Sequence, residues 1–189
     1  MGSFVVSTKK DQLVIFDVER LGAEIYIAGN FVEADDYQNI IRLNTGTNTW
    51  DFPMQFSNPS TVYGLGALKS SLIITGSFRS CNKVLCNNIC AFDGDSKVSS
   101  FSQGGIEGSN RSIQHIAVNP AKDSIYLGGA FNSFRDEKVS GLVALSISNS
   151  KVISLKSDSF AITSLSISNS NLCYSKYNSL SNASEMYEY

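Results

Sequence analysis

Cysteines are the residues of this 189-residue chain whose spacing most suggests chemistry. Cys81, Cys86 and Cys90 lie close together, and Cys173 stands far along the chain. Our first interpretation is a small loop closed by a Cys81–Cys86 disulfide, since small exported domains often use such bonds. Two free thiols in a cytosolic protein are the alternative, and a Cys86–Cys90 pair also stays open. A zinc site is disfavoured because zinc needs four ligands and the one histidine lies elsewhere.

Cys90 has a second interpretation, which comes from its place in a repeated segment. It occupies the position that Ile41 and Val143 hold in two similar segments. A thiol at an apolar position behaves as a small buried side chain. If Cys90 belongs to the core, Cys173 has no obvious partner.

His115 is the single histidine, and it falls between Ile113 and Ile116 in a β-prone segment. Because catalysis needs a supporting partner, we interpret His115 as a structural or surface residue. No serine stands in a Gly-x-Ser-x-Gly elbow. The glycine-rich run 104–108 lacks the strand-then-helix context of a phosphate-binding loop. The sequence therefore predicts no enzyme, no catalytic residue and no cofactor.

Two further groups of polar residues suggest binding or modification. Glu33, Asp35 and Asp36 cluster in a loop that could bind calcium weakly, but the EF-hand spacing is absent and a solvated loop is the better interpretation. We therefore predict no metal site. Asn110 and Asn182 each begin an Asn-x-Ser sequence, which predicts N-glycosylation at both residues.

The overall composition excludes some classes of partner. The net charge is −2, with 17% charged and 42% hydrophobic residues. So small a charge does not favour nucleic acid or an anionic membrane as partner. No window approaches the roughly 18 apolar residues that span a bilayer. The apolar residues 4–6 precede two lysines, whereas a signal peptide has its basic residues first.

A short glycine-containing motif occurs three times in the chain. It therefore marks a repeated structural unit, and that unit positions the residues discussed above. The copies are 25–31, 72–78 and 125–131, and their shared glycines are 47 (76 − 29) and 53 (129 − 76) residues apart. A phenylalanine follows each glycine by two residues. The repeated pairs are Gly29 and Phe31, Gly76 and Phe78, and Gly129 and Phe131. Periods of about 40–50 residues with several short strands are typical of propeller blades.

Three more β-prone segments accompany each copy and complete a unit of four strands. The third and fourth are joined by turn residues at 44–48, 93–96 and 148–150. We predict an all-β fold of blades with four antiparallel strands each, about three complete and a degenerate fourth. The predicted units are 11–56, 60–103, 111–156 and 160–189. The glycine should let neighbouring backbones approach near the axis, and the phenylalanine should fill the space between blades.

The number of units sets a further expectation. Closed propellers usually have about four to eight blades, so three and a half predict a partial or open array. We expect a fragment of a longer protein rather than an autonomous one. An open array exposes apolar blade faces, which favour self-association.

The unit resembles a known repeat. Its outline is apolar-x-x-apolar-x-apolar, then Ile-Tyr-Leu-Gly-Gly-Ala-Phe, then Asn-Ile-x-x-Phe-Asp, then a turn and an aromatic residue. This outline is similar to the kelch-related repeat of the fungal bud-site-selection and cortical cell-polarity marker proteins. The run 87–93, Asn-Asn-Ile-Cys-Ala-Phe-Asp, adds to the resemblance, which covers residues 11 to 177. Bacterial proteins with tandem propeller repeats are the nearest competitor.

The resemblance implies a large single-pass membrane glycoprotein whose propeller region lies at the cell surface or in the secretory lumen. It would mark past division sites together with another membrane polarity protein, without catalysis. This chain departs from that pattern in having no signal sequence, no membrane span and fewer blades, which again suggests a piece of a longer ectodomain. The alternatives are a secreted propeller glycan-binding protein or carbohydrate-active enzyme, and a truncated product with no stable fold.

Overall fold

Antiparallel strands form all the regular structure of the computed structural model in the part of the chain that it describes. That part comprises residues 14–33, 36–100, 111–121, 123–135, 137–147, 151–155, 161–168, 171–178 and 183–188. No helix occurs in these ranges, and none is therefore long and apolar enough to cross a membrane. The expected all-β fold is confirmed.

Four sheets follow one another along the chain, and each is a propeller-type blade. The first contains β1 (Ile15–Leu21), β2 (Glu24–Glu33), β3 (Asp36–Asn44) and β4 (Thr49–Asp51). The second contains β5 (Thr61–Leu68), β6 (Ser71–Ser77), β9 (Ile89–Phe92) and β10 (Val98–Ser100), with a small hairpin of β7 (Ser80–Cys81) and β8 (Val84–Leu85) inserted.

The third and fourth blades continue the series. The third contains β11 (Ile113–Val118), β12 (Ser124–Gly129), β15 (Leu142–Ser146) and β16 (Val152–Ser154), and its inserted hairpin is β13 (Ser133–Phe134) and β14 (Glu137–Lys138). The fourth has three strands, β17 (Ile162–Ser168), β18 (Asn171–Asn178) and β19 (Ala183–Glu188). The described residues thus form an open array of three four-stranded blades and a fourth with three strands, which agrees with the predicted blade architecture.

Polar side chains close the hairpins between the third and fourth strands. Asp93 Oδ1 accepts hydrogen bonds from the backbone N–H groups of Asp95, Ser96 and Lys97 at 3.0–3.1 Å. Asn44 Oδ1 accepts two in the same way. A short side chain that satisfies several turn donors fixes the reversal of the chain. The third predicted turn, 148–150, lies outside the described residues.

The hydrophobic core lies between the blades rather than within them. Three buried clusters fill the three junctions. The first packs Tyr26, Ala28 and Ile40 against Val62, Leu72, Ile74 and Phe92; the second packs Leu68, Ile73 and Ile89 against Ile113, Ile125 and Leu127; the third packs Leu142 and Ala144 against Ile162 and Leu172. Each buried Val, Leu, Ile or Phe stabilises the fold by about 1.5–3 kcal/mol. A blade is therefore stabilised mainly by its neighbours.

Small residues of one blade form slots for branched side chains of the next. A Cβ atom placed on Gly66 would lie 2.8 Å from Val118 Cγ2, and one on Gly64 would lie 3.0 Å from Ile116 Cγ2. A Cβ on Gly128 would likewise lie 2.8 Å from Ile162 Cγ2. The glycines let the sheets approach closely, and the branched side chains fill the slots.

The repeated glycines Gly29, Gly76 and Gly129 share one environment. A Cβ atom on each would meet the backbone oxygen of Val14, Thr61 or Ser112, respectively. These oxygens belong to the segment that leads into the first strand of the same blade. The register of that strand shifts at this point in all three blades. The crowding that requires glycine thus comes from a neighbouring backbone, as expected, and that backbone is the first strand of the same blade or the residue before it.

The phenylalanines Phe31, Phe78 and Phe131 are all buried. The ring of Phe31 folds back to 2.8 Å from where a Cβ on Gly29 would be, and the ring of Phe78 approaches Gly76 in the same way at 3.1 Å. Phe78 and Phe131 belong to the clusters at the first and second junctions. They therefore fill space between blades, after the second strand has ended.

Lys176 shows how the fourth blade departs from the pattern. It pairs with Ile162, as Gly29 pairs with Ile15 and Gly76 with Val62. The register is therefore kept although the glycine is lost. Lys176 is only 7% exposed.

The first blade has one side that no other blade covers in the described part of the chain. Tyr26, Ala28 and Ile40 point toward the second blade, so residues at alternate positions point away from it. This outer side, which we call the open face, carries Ile15, Val18 and Trp50, which are 53%, 54% and 39% exposed. The open face therefore has exposed apolar side chains, although the exposed Arg20 also lies on it and Ile41 of the same face is buried.

Candidate interaction surface

The loop between the first and second blades is held against the hairpin β7–β8. Phe56 and Cys81 form an isolated β-bridge. Ser57 N–H donates to Ser80 O at 3.0 Å, and Asn82 N–H donates to Gln55 O at 2.8 Å. These backbone bonds tie residues 55–57 to the hairpin, so the loop has a defined shape.

A polar pocket of about 480 Å³ lies beside this loop. Five of its lining residues carry carboxamides, and the others are a phenyl ring, a proline and two hydroxyls. We call it the amide pocket, and its lining is Asn30, Gln38, Asn39, Gln55, Phe56, Asn58, Pro59, Ser60 and Thr61. None of these side chains is ionisable at neutral pH.

Asn39 fixes the inner wall of the amide pocket. It is 7% exposed. Ser60 Oγ donates to Asn39 Oδ1 at 2.6 Å, and Asn39 Nδ2 donates to Ser60 O at 3.5 Å. A carboxamide has two N–H donors, so one donor of Asn39 is left over from this pair of bonds.

Three cysteines meet beneath the same loop. Cys81, Cys86 and Cys90 are all buried in the core of the first junction. The Cys90 thiol hydrogen-bonds with the thiols of both Cys81 and Cys86, and Cys86 Sγ donates to Val84 O at 3.1 Å. The hydrogen bond from Cys90 lowers the pKa of Cys86, whereas burial raises the pKa of Cys90 well above its ordinary value.

This cluster bears on the predicted disulfide. All four cysteines, including Cys173, are free thiols in the structure. The Cys81–Cys86 bond is therefore not formed here and stays a prediction for the oxidised protein. Cys90 does occupy the register of Ile41 and Val143, since it pairs with Ile74 as they pair with Ile27 and Leu127. Sequence reasoning missed that this core residue also contacts both other thiols.

His115 lies near Asp17 at the inner strands. Asp17 Oδ2 accepts a hydrogen bond from Leu65 N–H at 2.8 Å, which joins the first blade to the second. Burial raises the pKa of Asp17, although the bonds from Leu65 and Val18 oppose that shift. Burial lowers the pKa of His115, and the charge of Asp17 opposes that shift. The arrangement fits the structural role expected of His115.

Arg42 joins the first two blades in a way that the sequence did not suggest. Its Nη1 donates to Gly94 O of the second blade at 2.7 Å, and its Nε donates to Asp51 Oδ1 at 2.8 Å. Nη2 also contacts Asp51, and Glu24 lies 3.5 Å from Nε. The carboxylate of Asp51 raises the pKa of Arg42 further, so the guanidinium stays charged. The guanidinium group of Arg42 thus links the first blade to the second through charge-assisted hydrogen bonds.

Several predicted sites cannot be placed. Asn110, Asn182, Asp35 and the run 104–108 lie outside the described residues, as do the side chains of Glu33 and Asp36. Among the described residues, no three His, Cys, Asp or Glu side chains are grouped so as to hold a metal ion.

Comparison with known proteins shows the fold alone. No family model matches the sequence, and no curated protein does. Among solved structures, a chain in the crystal structure of a nidogen/laminin complex is similar, with a TM-score of 0.62 and 12% sequence identity. The match covers 93% of this chain and 60% of that chain, so this chain spans less than two thirds of the length of its neighbour. The likeness supports the propeller-type arrangement of blades.

Proposed function

We propose that this chain is a non-enzymatic interaction module, a propeller segment from the ectodomain of a membrane glycoprotein that marks sites of cell polarity or bud-site selection in a fungus. The observation that carries the interaction role is the apolar open face. Its residues Ile15, Val18 and Trp50 are three large apolar side chains on one side of one sheet, and all three are exposed. Such a face is expected to be covered in the assembled protein.

A second copy of this chain supplies a matching surface. Val18 has the register position of Leu65 and Ile116, since each of the three pairs with the residue two positions before the repeated glycine of its blade. Ile116 packs beside Gly64 and Gly66 of the blade before it. Ser164 and Ser166 of the fourth blade hold the register positions of these two glycines.

The two ends of the array are therefore complementary. Ser164 and Ser166 are exposed, and their side chains are small. The open face of one copy can seat Val18 against them, so the contact between copies continues the packing between blades. This is a head-to-tail contact between unlike surfaces.

The cell-polarity role is supported by the resemblance of the repeat to the fungal marker proteins. The structural neighbour is part of a complex between two proteins, which supports a protein partner for this chain too. We infer that this partner is another membrane polarity protein at the cell surface or in the secretory lumen. The glycosylation of Asn110 and Asn182 and the Cys81–Cys86 bond belong to the same proposal.

A deletion in the host cell tests the polarity role. The segment 14–188 is removed in frame from the gene of a fungal host, and new growth sites are scored relative to past division sites. We expect their adjacency to fall toward a random distribution while growth rate is unchanged. Growth sites that stay beside the old division scars would overturn the proposal.

Expression through a secretory route tests the location. Mass spectrometry should find glycans that disappear in Asn110→Gln and Asn182→Gln, and a disulfide among residues 81–90. A secreted protein that is fully reduced and carries no glycan would contradict the extracellular assignment.

A further inference from the structure

We propose that the amide pocket binds a neutral carbohydrate chain. This inference does not depend on the polarity role, because it rests on the chemistry of the pocket lining alone. The pocket volume of about 480 Å³ falls within the range of small-molecule sites, about 300–1,000 Å³.

The carboxamides supply the kind of hydrogen bonds that a sugar requires. Each has two donors and a two-lone-pair acceptor, so it can bind one hydroxyl that donates and another that accepts. Five residues with carboxamides and two with hydroxyls line the cavity, and of these Asn39 and Ser60 already share hydrogen bonds with each other. Such a lining matches the dense, uncharged hydroxyls of a sugar.

The absence of ionisable groups among the nine lining residues selects against charged ligands. A carboxylate, sulfate or phosphate entering the pocket would lose water without meeting an opposite charge there. A neutral ligand pays no such penalty. The pocket therefore favours neutral sugars over acidic ones.

Phe56 provides an apolar wall for the C–H face of a sugar ring. Its ring meets Phe78 edge to face, with centroids 5.0 Å apart, and Phe78 is buried at the first junction. The orientation of Phe56 is therefore fixed by the core. One ring and one proline give less apolar surface than the aromatic and aliphatic anchors through which proteins usually bind peptides.

The pocket is also preorganised. Ser60 holds Asn39 on one side, and the bonds of the loop to Ser80 and Asn82 hold residues 55–57 on the other. Less ordering is then needed when a ligand binds, which leaves more of the contact energy as affinity.

Titration calorimetry on the full chain tests the pocket. The probes are gluco-, manno- and N-acetylglucosamine hexasaccharides, with a hyaluronan hexasaccharide as the acidic comparison. We expect at least one neutral probe to bind, and to bind at least tenfold more tightly than the acidic probe. Because no charge contributes, its affinity should change less than about twofold between low and high salt.

Two charge-introducing variants of nearly unchanged size, Gln38→Glu and Asn58→Asp, should each weaken binding of that neutral probe at least tenfold. Gln114→Glu, which makes the same change on β11 of another blade, should leave binding within twofold. Circular dichroism and a cooperative melt establish that every variant is folded.

Three outcomes would overturn the inference. They are a folded protein that binds no neutral probe, binding that persists in both pocket variants, and equal binding of the acidic probe. The source of the sugar is then identified by measuring binding to two ligands. One is a glycoprotein before and after enzymatic removal of its glycans, and the other is a free polysaccharide. The pocket variants also separate this inference from the polarity role. A variant that loses sugar binding but keeps normal growth-site selection, or one that keeps sugar binding but loses growth-site selection, shows that the two properties are independent.

Discussion

Single residues decide how closely strands and blades approach. Gly76 is required because the Thr61 carbonyl occupies the space of a side chain, whereas Gly66 is required by the next blade. Gly64 is crowded both by Thr75 of its own blade and by Ile116 of the next. The same residue type thus serves two purposes, within a blade and between blades. Arg42 adds a polar link across the first junction, where the Gly94 carbonyl accepts its hydrogen bond.

The replacement Gly76→Ala should destabilise the protein by about 1–3 kcal/mol, as overpacking of a tight site does. The new Cβ would lie 3.0 Å from Val62 Cα and even closer to Thr61 O, and neither backbone atom can move freely. Denaturant unfolding measures the loss. Gly46→Ala is the matched control, because its Cβ meets only the Asn44 side chain, at 3.3 Å. Equal losses for both variants would refute the steric role of Gly76.

His115 should make the fold less stable in mild acid. Its folded pKa lies below the ordinary value of 6.5, so the unfolded chain binds the proton more readily. The stability that His115 contributes is present above pH 6.5 and is lost as the pH falls through the lower folded pKa. Unfolding free energies measured from neutral pH downward should show this loss, and His115→Gln should flatten it.

The pKa of Asp17, which interacts electrostatically with His115, is shifted in the opposite direction, since burial and, to a smaller extent, the charge of Glu19 raise it. Its raised pKa means that its stabilising contribution is present below the ordinary value of 3.8 and is lost as the pH rises through the folded pKa. Asp17→Asn should therefore change the pH profile in the more acidic range. It should also move the His115 step to lower pH, because the Asp17 charge no longer raises the pKa of His115. A profile of His115→Gln identical to that of the parent would contradict the assignment.

At the scale of elements, the inserted hairpin β7–β8 shapes the candidate interaction surface. Its turn residues Asn82 and Lys83 have φ angles of 46° and 67°, which two-residue hairpin turns require. Asn tolerates this conformation, but Lys does so at a cost. The hairpin in turn holds the loop 55–57 and brings Cys81 to Cys90.

Replacing Lys83 by glycine should stabilise the protein by about 0.5–1 kcal/mol, because glycine adopts positive φ without strain. Lys97→Gly gives the contrast, since Lys97 is an exposed residue whose φ is not positive. There, glycine should only add freedom to the unfolded chain and lower stability. Thermal and denaturant unfolding of the two variants should show shifts of opposite sign, and shifts of the same sign would refute the strain at Lys83.

The spacing of the repeated glycines was enough to predict blades, because local strand and turn preferences agree with the way the sheets stack. The degenerate fourth blade was also visible, since Lys176 stands where the glycine is expected. The backbone atom that crowds each repeated glycine could not be predicted from the sequence, because its position depends on the register shift in the adjacent first strand.

The functional surface was harder to predict. The amide pocket draws its lining from separate segments near residues 30, 38 and 55–61, and no spacing rule links them. The contact of Cys90 with Cys81 depends on the hairpin turn, and the Arg42 link depends on how two blades dock. All three features arise only once the sheets are packed.

At the scale of the whole molecule, the outward sides of the first and fourth blades differ in the described part of the chain. The open face of the first blade is apolar, whereas Ser164, Ser166 and Ser168 of the last blade are small, polar and exposed. Unlike ends allow head-to-tail association of copies, which closes into a ring only if the rotation between copies permits it.

Val18→Asp should therefore reduce self-association at least tenfold without unfolding the chain, since Val18 is 54% exposed. Light scattering over a range of protein concentrations measures the change in mass. Ser166→Asp at the opposite end should have a similar effect, because it occupies the proposed receiving surface. Thr47→Asp, in an exposed turn, is the control. A parent protein that stays monomeric at high concentration would overturn this association.

The glycine slots described above also decide which unit could be multiplied to lengthen the protein. The second blade has Gly64 and Gly66 on one side, and it has Leu65 at the position of Ile116. In a duplicate inserted after it, Leu65 would pack into the slot that Gly64 and Gly66 already form. The third blade has His115 where Gly64 stands, so it lacks one of the two glycines that form this slot. Evolution or an engineer extending this array would therefore start from the second blade.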